Sequence, residues 1–261
     1  MKRNDFKDLL YARELLENPG FAIRLANELG APIEAVIEKV PEKITGMIHS
    51  ATHKSLQKIL DCNAITMDAT RNGDSSEAYY KLANGVVGAG GGFFGLKGLI
   101  LELPLSTGII MRSIMDIARN EGENIDDIET RLNCLSVFAL GGNSSKDDAS
   151  EIGYFEIRTA MAQFISDAVR YVAEQGLSNK NAPVLIRLIT KIASRFEIIL
   201  SEKAVAQAIP IIGAAGGAVV NTVFTNHYQD MARGHFIIVR LEKKYGEKIV
   251  RKKYDNKKVR K

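Results

Sequence analysis

The 261 residues include four histidines, and their placement sets out most of the chemistry the chain could carry. His49 and His53 stand four apart, the helical spacing that puts two imidazoles on one face as metal ligands. No Glu follows His49 as in the zinc-protease motif, and the sequence points to no third ligand. A pair of surface histidines is the plainer reading, so neither a metal nor a cofactor is expected. His227, Asp230 and His235 fall on one predicted helix, with Asp230 one turn from His227, where it could orient the imidazole. The chain has no Gly-x-Ser-x-Gly elbow to offer a nucleophile, and His235 lies beside Phe236 in an apolar stripe, which favours a hydrogen-bonded core histidine. Glu102, inside Leu101 to Leu105 and two residues before Pro104, is the most unusual carboxylate. Buried there, it needs a partner such as Arg112 or a helix N-terminus, or its pKa rises. A hydrolase site using Glu102, His227, Asp230 and His235 is therefore conceivable, but no catalytic set is assigned.

Two glycine passages must position whatever these residues do. The first, Gly85 to Glu123, opens with a dense glycine cluster, passes a Leu-Pro break and continues as an amphipathic helix. The second, Ile209 to Glu247, has the same plan. Glycine costs about 0.5–1 kcal/mol relative to alanine inside a helix, so the clustering needs a reason. A phosphate loop fails on detail: the first cluster lacks the Gly-Lys-Ser/Thr ending, and its spacing misses the dinucleotide fingerprint. Close packing fits better, since Gly88 with Gly92, Gly91 with Gly95, and Gly213 with Gly217 each stand four apart on one helix face. A bilayer span takes about 20 largely apolar residues, and Lys97 and Glu102 interrupt the first passage before that length. Two readings remain for these segments, a buried core hairpin and a reversible interfacial one. Arg112, Asp116 and Arg119 form a charged row opposite Ile110, Ile114 and Ile117, expected to be a solvated ion-pair face.

The rest of the chain is helix former punctuated by Gly and Pro. With 46% hydrophobic residues, no Trp and six Pro, it predicts an all-α fold with one large core, the two Gly-rich apolar hairpins at its centre. A helical layer over 1–68 comes first. It comprises a helix to Asn18-Pro19, a short helix to about Gly30, another from Pro32 to Val40, and a longer one from about Lys43 to Met67. A helix from about Glu77 leads into the first glycine passage, and one from 124–127 ends at Gly141-Gly142. The polar run Asn143 to Asp148 reads as a connection. Long helices then run from Tyr154 to Gly176, from Pro183 to a break at Pro210, and from Val219 to Tyr245.

The net charge of +4 hides an asymmetry. Residues 243–261 carry ten Lys or Arg against Glu247 and Asp255, which leaves a mildly acidic body. A basic tail on such a body suits anionic lipid head groups, or else is a solvated terminus. Nucleic acid would require basic residues on the folded body as well. Cys62 and Cys134 neither demand a disulfide nor supply a metal cluster. The charged start lacks an apolar secretory segment, so a cytoplasmic setting, or the inner face of the cell membrane, is expected.

The passages GGGFFGLKGLILELPLSTGIIMRSIMDIARNEGE and IPIIGAAGGAVVNTVFTNHYQDMARGHFIIVRLEKKYGE resemble the two signature blocks of the EcsC family of bacterial proteins. Arg131 to Leu135 and Tyr154-Phe155 are also similar to the family pattern, and the likeness spans about residues 75–250. The resemblance implies a helical domain over about 75–250, with the basic tail at 251–261 beyond it, no established reaction, and an association by name with an ABC-type exporter. The matching positions are Gly91, Gly92, Gly95, Pro104, Thr107, Arg112, Pro210, Gly213, Asn221 and Phe236, carried over as a signature surface. On this reading the chain is a non-enzymatic, membrane-proximal accessory or interaction protein. Its expected partner is an anionic membrane surface or a membrane protein, and no small-molecule ligand is identified.

Overall fold

A computed structural model describes residues 1–17, 21–29, 42–62, 76–93, 95–141, 153–176, 182–207 and 213–256. Among these residues the secondary structure is entirely helical: α1 (Arg3–Glu17), α2 (Phe21–Leu29), α3 (Glu42–Cys62), α4 (Glu77–Phe93), α5 (Gly95–Asn120), α6 (Ile128–Ser136), a 3-10 turn (Val137–Ala139), α7 (Tyr154–Gln175), α8 (Pro183–Gln207), α9 (Gly213–Tyr245) and α10 (Glu247–Tyr254). The expected all-α fold is what the chain adopts. The helix anticipated over Pro32 to Val40, the turns at 72–75 and 177–181, the connection 143–148 and the break at Pro210 lie outside the described residues.

The organising element is α9, whose 33 residues make a rod of about 50 Å at 1.5 Å per residue. Val220, Phe224, Tyr228, Met231, Ile238 and Leu241 are buried along it, and so are Asn221, Thr225, His227, Gln229 and His235. A helix buried on nearly all sides must be wrapped by others. α1, α2, α4, α5, α8 and α10 all lie against it. Buried residues of α1, α2 and α3 belong to the same core as those of the later helices.

Three expectations change. The second glycine cluster is already helical, so α9 begins at Gly213 rather than near Val219, just as Gly85 to Gly92 are helical within α4. Neighbouring helices pack against these turns and stabilise them despite their poor propensity. Pro104 does not break its segment, since α5 runs through it to Asn120. It forfeits one backbone bond, which the burial of Leu103, Ile110, Met111, Ile114 and Ile117 on the same helix offsets. The basic C-terminus is not wholly a solvated tail either. Residues 247–254 form α10, which seats Val250 and Tyr254 in the core beside Phe155 and α1.

Helix Lys97–Asn120 is long and apolar enough to cross a membrane by length and composition, and most of it is buried inside the protein.

Candidate functional site

The two glycine passages meet. α4 crosses α9 so closely that a Cβ at Gly88 would collide with the Gly217 carbonyl oxygen and lie 2.6 Å from Asn221 Cβ. The same helix turns back on α5, where a Cβ at Gly98 would overlap the Gly91 backbone. The seam with α9 thus uses Gly85 and Gly88, three apart, and the hairpin seam uses Gly91 and Gly98. Gly88 and Gly217, one from each of two four-apart pairs expected from the sequence, meet across the α4–α9 seam. Backbones this close leave no room for apolar side chains, so small polar groups fill the seam. Asn221 Nδ2 donates to the Asn84 carbonyl at 3.0 Å, and Asn84 Nδ2 donates to Thr225 Oγ1 at 2.7 Å. Gln229 Nε2 donates to Ser113 Oγ at 2.8 Å, tying α5 to the same row.

Glu102 is buried beside Gly91, and its partner is neither Arg112 nor a helix N-terminus. Lys203 Nζ, on α8, donates to Glu102 Oε1 at 2.8 Å, and Gln207 Nε2 donates to the same oxygen at 3.0 Å. The Lys203 ammonium also lies 4.5 Å from the centre of the Phe224 ring. Burial pulls the Lys203 pKa below its ordinary value, and Glu102 works against that shift. The sequence reading missed Lys203 and Gln207. Their signal was two polar residues, four apart, on the apolar C-terminal half of α8.

The remaining candidates separate. His227 is buried against Phe21 and Tyr228 with neither ring nitrogen hydrogen-bonded, so Asp230 does not orient it. Asp230 instead accepts from Arg24 at 2.5 Å and from Asn226 at 3.3 Å, because the helix carries its carboxylate toward α2. His235 is the core histidine expected: its Nδ1 pairs with the Tyr154 hydroxyl at 2.8 Å and its ring packs on Phe236. Burial, helped by Arg24 for His227 and by Arg158 for His235, pulls each imidazole pKa down to about 3. Glu102, His227 and His235 share no hydrogen bond, so the convergence a hydrolase would need is not seen.

The charged row of α5 also differs from expectation. Asp116 is buried, paired with Arg119 and accepting from the Ser76 backbone N–H at 2.8 Å, and so it anchors the start of α4 rather than facing solvent. Arg112 is half-buried and bonded to the Tyr80 side chain. Thr107 is buried and donates to the Leu103 carbonyl at 2.6 Å. Gly92 lies near the end of α4, Gly95 and Gly213 begin α5 and α9, and Pro210 is outside the described residues.

One cavity of about 270 Å³ opens between α6, α7 and α9, lined by Glu129, Asn133, Ser136, Arg158 and His235 among others. Arg158 is committed to Glu242 at 2.6 Å.

The exposed side of the α4–α5 hairpin is apolar. Tyr79, Leu82 and Val86 follow at helical spacing on α4, and Leu101 and Leu105 stand one turn apart on α5. All five are between 59% and 79% exposed. Both rows stand on the one hairpin, which closes through Gly91 and Gly98, and together they are its exposed apolar ridge.

The architecture defines an all-α protein in which two glycine-bearing helices cross backbone to backbone beside a buried ion pair between two others, with an apolar ridge outside. The chain belongs to the EcsC protein family, whose profile matches residues 17–241, most of its length. That match begins well before the signature blocks and ends before the basic helix. No curated protein and no solved structure matches the chain.

Proposed function

We propose that this protein is a non-enzymatic, membrane-proximal accessory or interaction protein that rests the α4–α5 hairpin on an anionic membrane surface at the inner face of the cell membrane. The observation that carries this reading is the ridge of Tyr79, Leu82, Val86, Leu101 and Leu105. A run of large exposed apolar side chains on a well-packed helical hairpin marks a lipid or protein contact. The ridge is too short and one-sided to span a bilayer, and it suits shallow interfacial docking. The exposed Lys97 at the hairpin's turn and the basic groups of α10 supply attraction to anionic head groups. Glu102, His227 and His235 are each engaged or enclosed separately, which supports a role without acid–base chemistry. An ABC-type exporter, the partner class implied by the family's name, is reached from the same surface.

Co-sedimentation with vesicles of phosphatidylglycerol and phosphatidylcholine tests the reading. The intact protein pellets with anionic vesicles at low salt, and the Leu82→Asp/Leu101→Asp variant stays in the supernatant with its helical content intact. Intact protein that stays in the supernatant overturns the membrane assignment.

A further inference from the structure

We infer that His49, His53 and Glu197 form a binding site for a divalent transition-metal ion of the zinc type. α3 carries both histidines on one face, their ring centres 4.6 Å apart, and α8 packs against α3 and brings Glu197 to them. Glu197 Oε1 lies 2.9 Å from His49 Nδ1. One ligand atom from each of the three side chains falls within 4.8 Å of the other two. Donors held about 2.0–2.2 Å from a tetrahedral zinc stand about 3.4 Å from one another, so from separations of up to 4.8 Å binding asks the outermost donor to close by at most about 1.4 Å. Side chains at the rim of the fold make such a movement by rotamer adjustment.

A simple His49–Glu197 ion pair explains only part of the arrangement. It leaves His53 Nε2 buried and without a hydrogen-bond partner among the described residues. Burial first, and then His49, push the His53 pKa below its ordinary value against the opposing pull of Glu197. Two imidazoles and one carboxylate are the donor set of catalytic zinc centres, which keep a fourth position for water or substrate. The His49 side chain is more than half exposed, so that position faces solvent. Soft-to-borderline divalent ions suit this set, and magnesium and calcium, which prefer all-oxygen cages, do not. The other two histidines and Cys134 are buried, and the one further thiol, Cys62, lies nine residues beyond His53.

The test uses the full-length, tag-free protein titrated with zinc chloride by calorimetry, and with cobalt(II) followed by visible absorption. The expected result is one equivalent bound at neutral pH, with a cobalt spectrum of four- or five-coordinate character. His53→Ala and Glu197→Gln each weaken binding at least about ten-fold while far-UV circular dichroism stays unchanged. Cys62→Ser leaves binding as it was, and millimolar magnesium does not displace the zinc. Absence of binding, affinity unchanged in His53→Ala, or displacement by magnesium overturns the site.

Discussion

The Lys203 ammonium sits 2.8 Å from the Glu102 carboxylate with both side chains withdrawn from solvent, a charge pair joining α8 to α5 beside the glycine crossing. Desolvating two ions costs much of what their attraction returns, so the pair is expected to add little net stability. Lys203→Met alone leaves a buried carboxylate and is expected to cost about 3–5 kcal/mol in urea unfolding. Glu102→Leu/Lys203→Met together should recover most of that loss. A double variant as unstable as the single one would show that the pair stabilises the fold in its own right.

Two glycines of α4 separate packing from propensity. Gly88 faces the α9 backbone, and Gly90 has no atom within 4 Å of where a Cβ would stand. Gly90→Ala is expected to stabilise by about 0.5–1 kcal/mol through helix propensity and reduced freedom of the unfolded chain. Gly88→Ala should destabilise by about 1–3 kcal/mol, because the crossing must open. Equal thermal shifts for the two variants would contradict the backbone contact.

How much of this was legible beforehand follows from what sequence patterns encode. Periodicity finds helices, so Pro183, the Gly176 terminus and the stripe through Phe224, Tyr228 and Met231 were placed correctly. The clustered glycines suggested close packing, but not that Gly88 meets Gly217, since pairing between distant segments leaves no local signal. Glu102 stood out as a misplaced carboxylate, but its partner lies 101 residues away. Glu197 escaped notice for the same reason: nothing near His49 and His53 in sequence announces a ligand on another helix.

The two core histidines make stability depend on pH. Burial holds both near a pKa of about 3, against an ordinary 6.5. Between those values the unfolded chain binds more protons than the native protein, so their contribution is full above about pH 6.5 and is lost as pH falls toward 3. Unfolding free energy should therefore drop by roughly 1 kcal/mol per pH unit for each histidine across that window. His227→Gln should make the profile between pH 6.5 and 4 shallower by about that amount. An unchanged slope would mean that His227 is protonated or solvated in the native state.

The C-terminal basic segment divides into a structural part and a charged part. Val250 and Tyr254 are buried, Tyr254 packs edge-on against Phe155 at 5.0 Å, and the Arg13 guanidinium lies 5.7 Å from the centre of its ring. Removing residues 247–261 would therefore weaken the fold together with any lipid affinity, and Tyr254→Ala alone should cost about 3–5 kcal/mol. Charge is better tested at Lys248 and Lys252, which point outward. Lys248→Glu/Lys252→Glu should leave the melting temperature within a degree or two, since surface charges contribute little to stability. If α10 supplies electrostatic attraction, the same variant binds anionic vesicles more weakly at low salt and equally at high salt, where screening removes the difference. Binding that is unaffected at low salt would assign the whole membrane contact to the hairpin ridge.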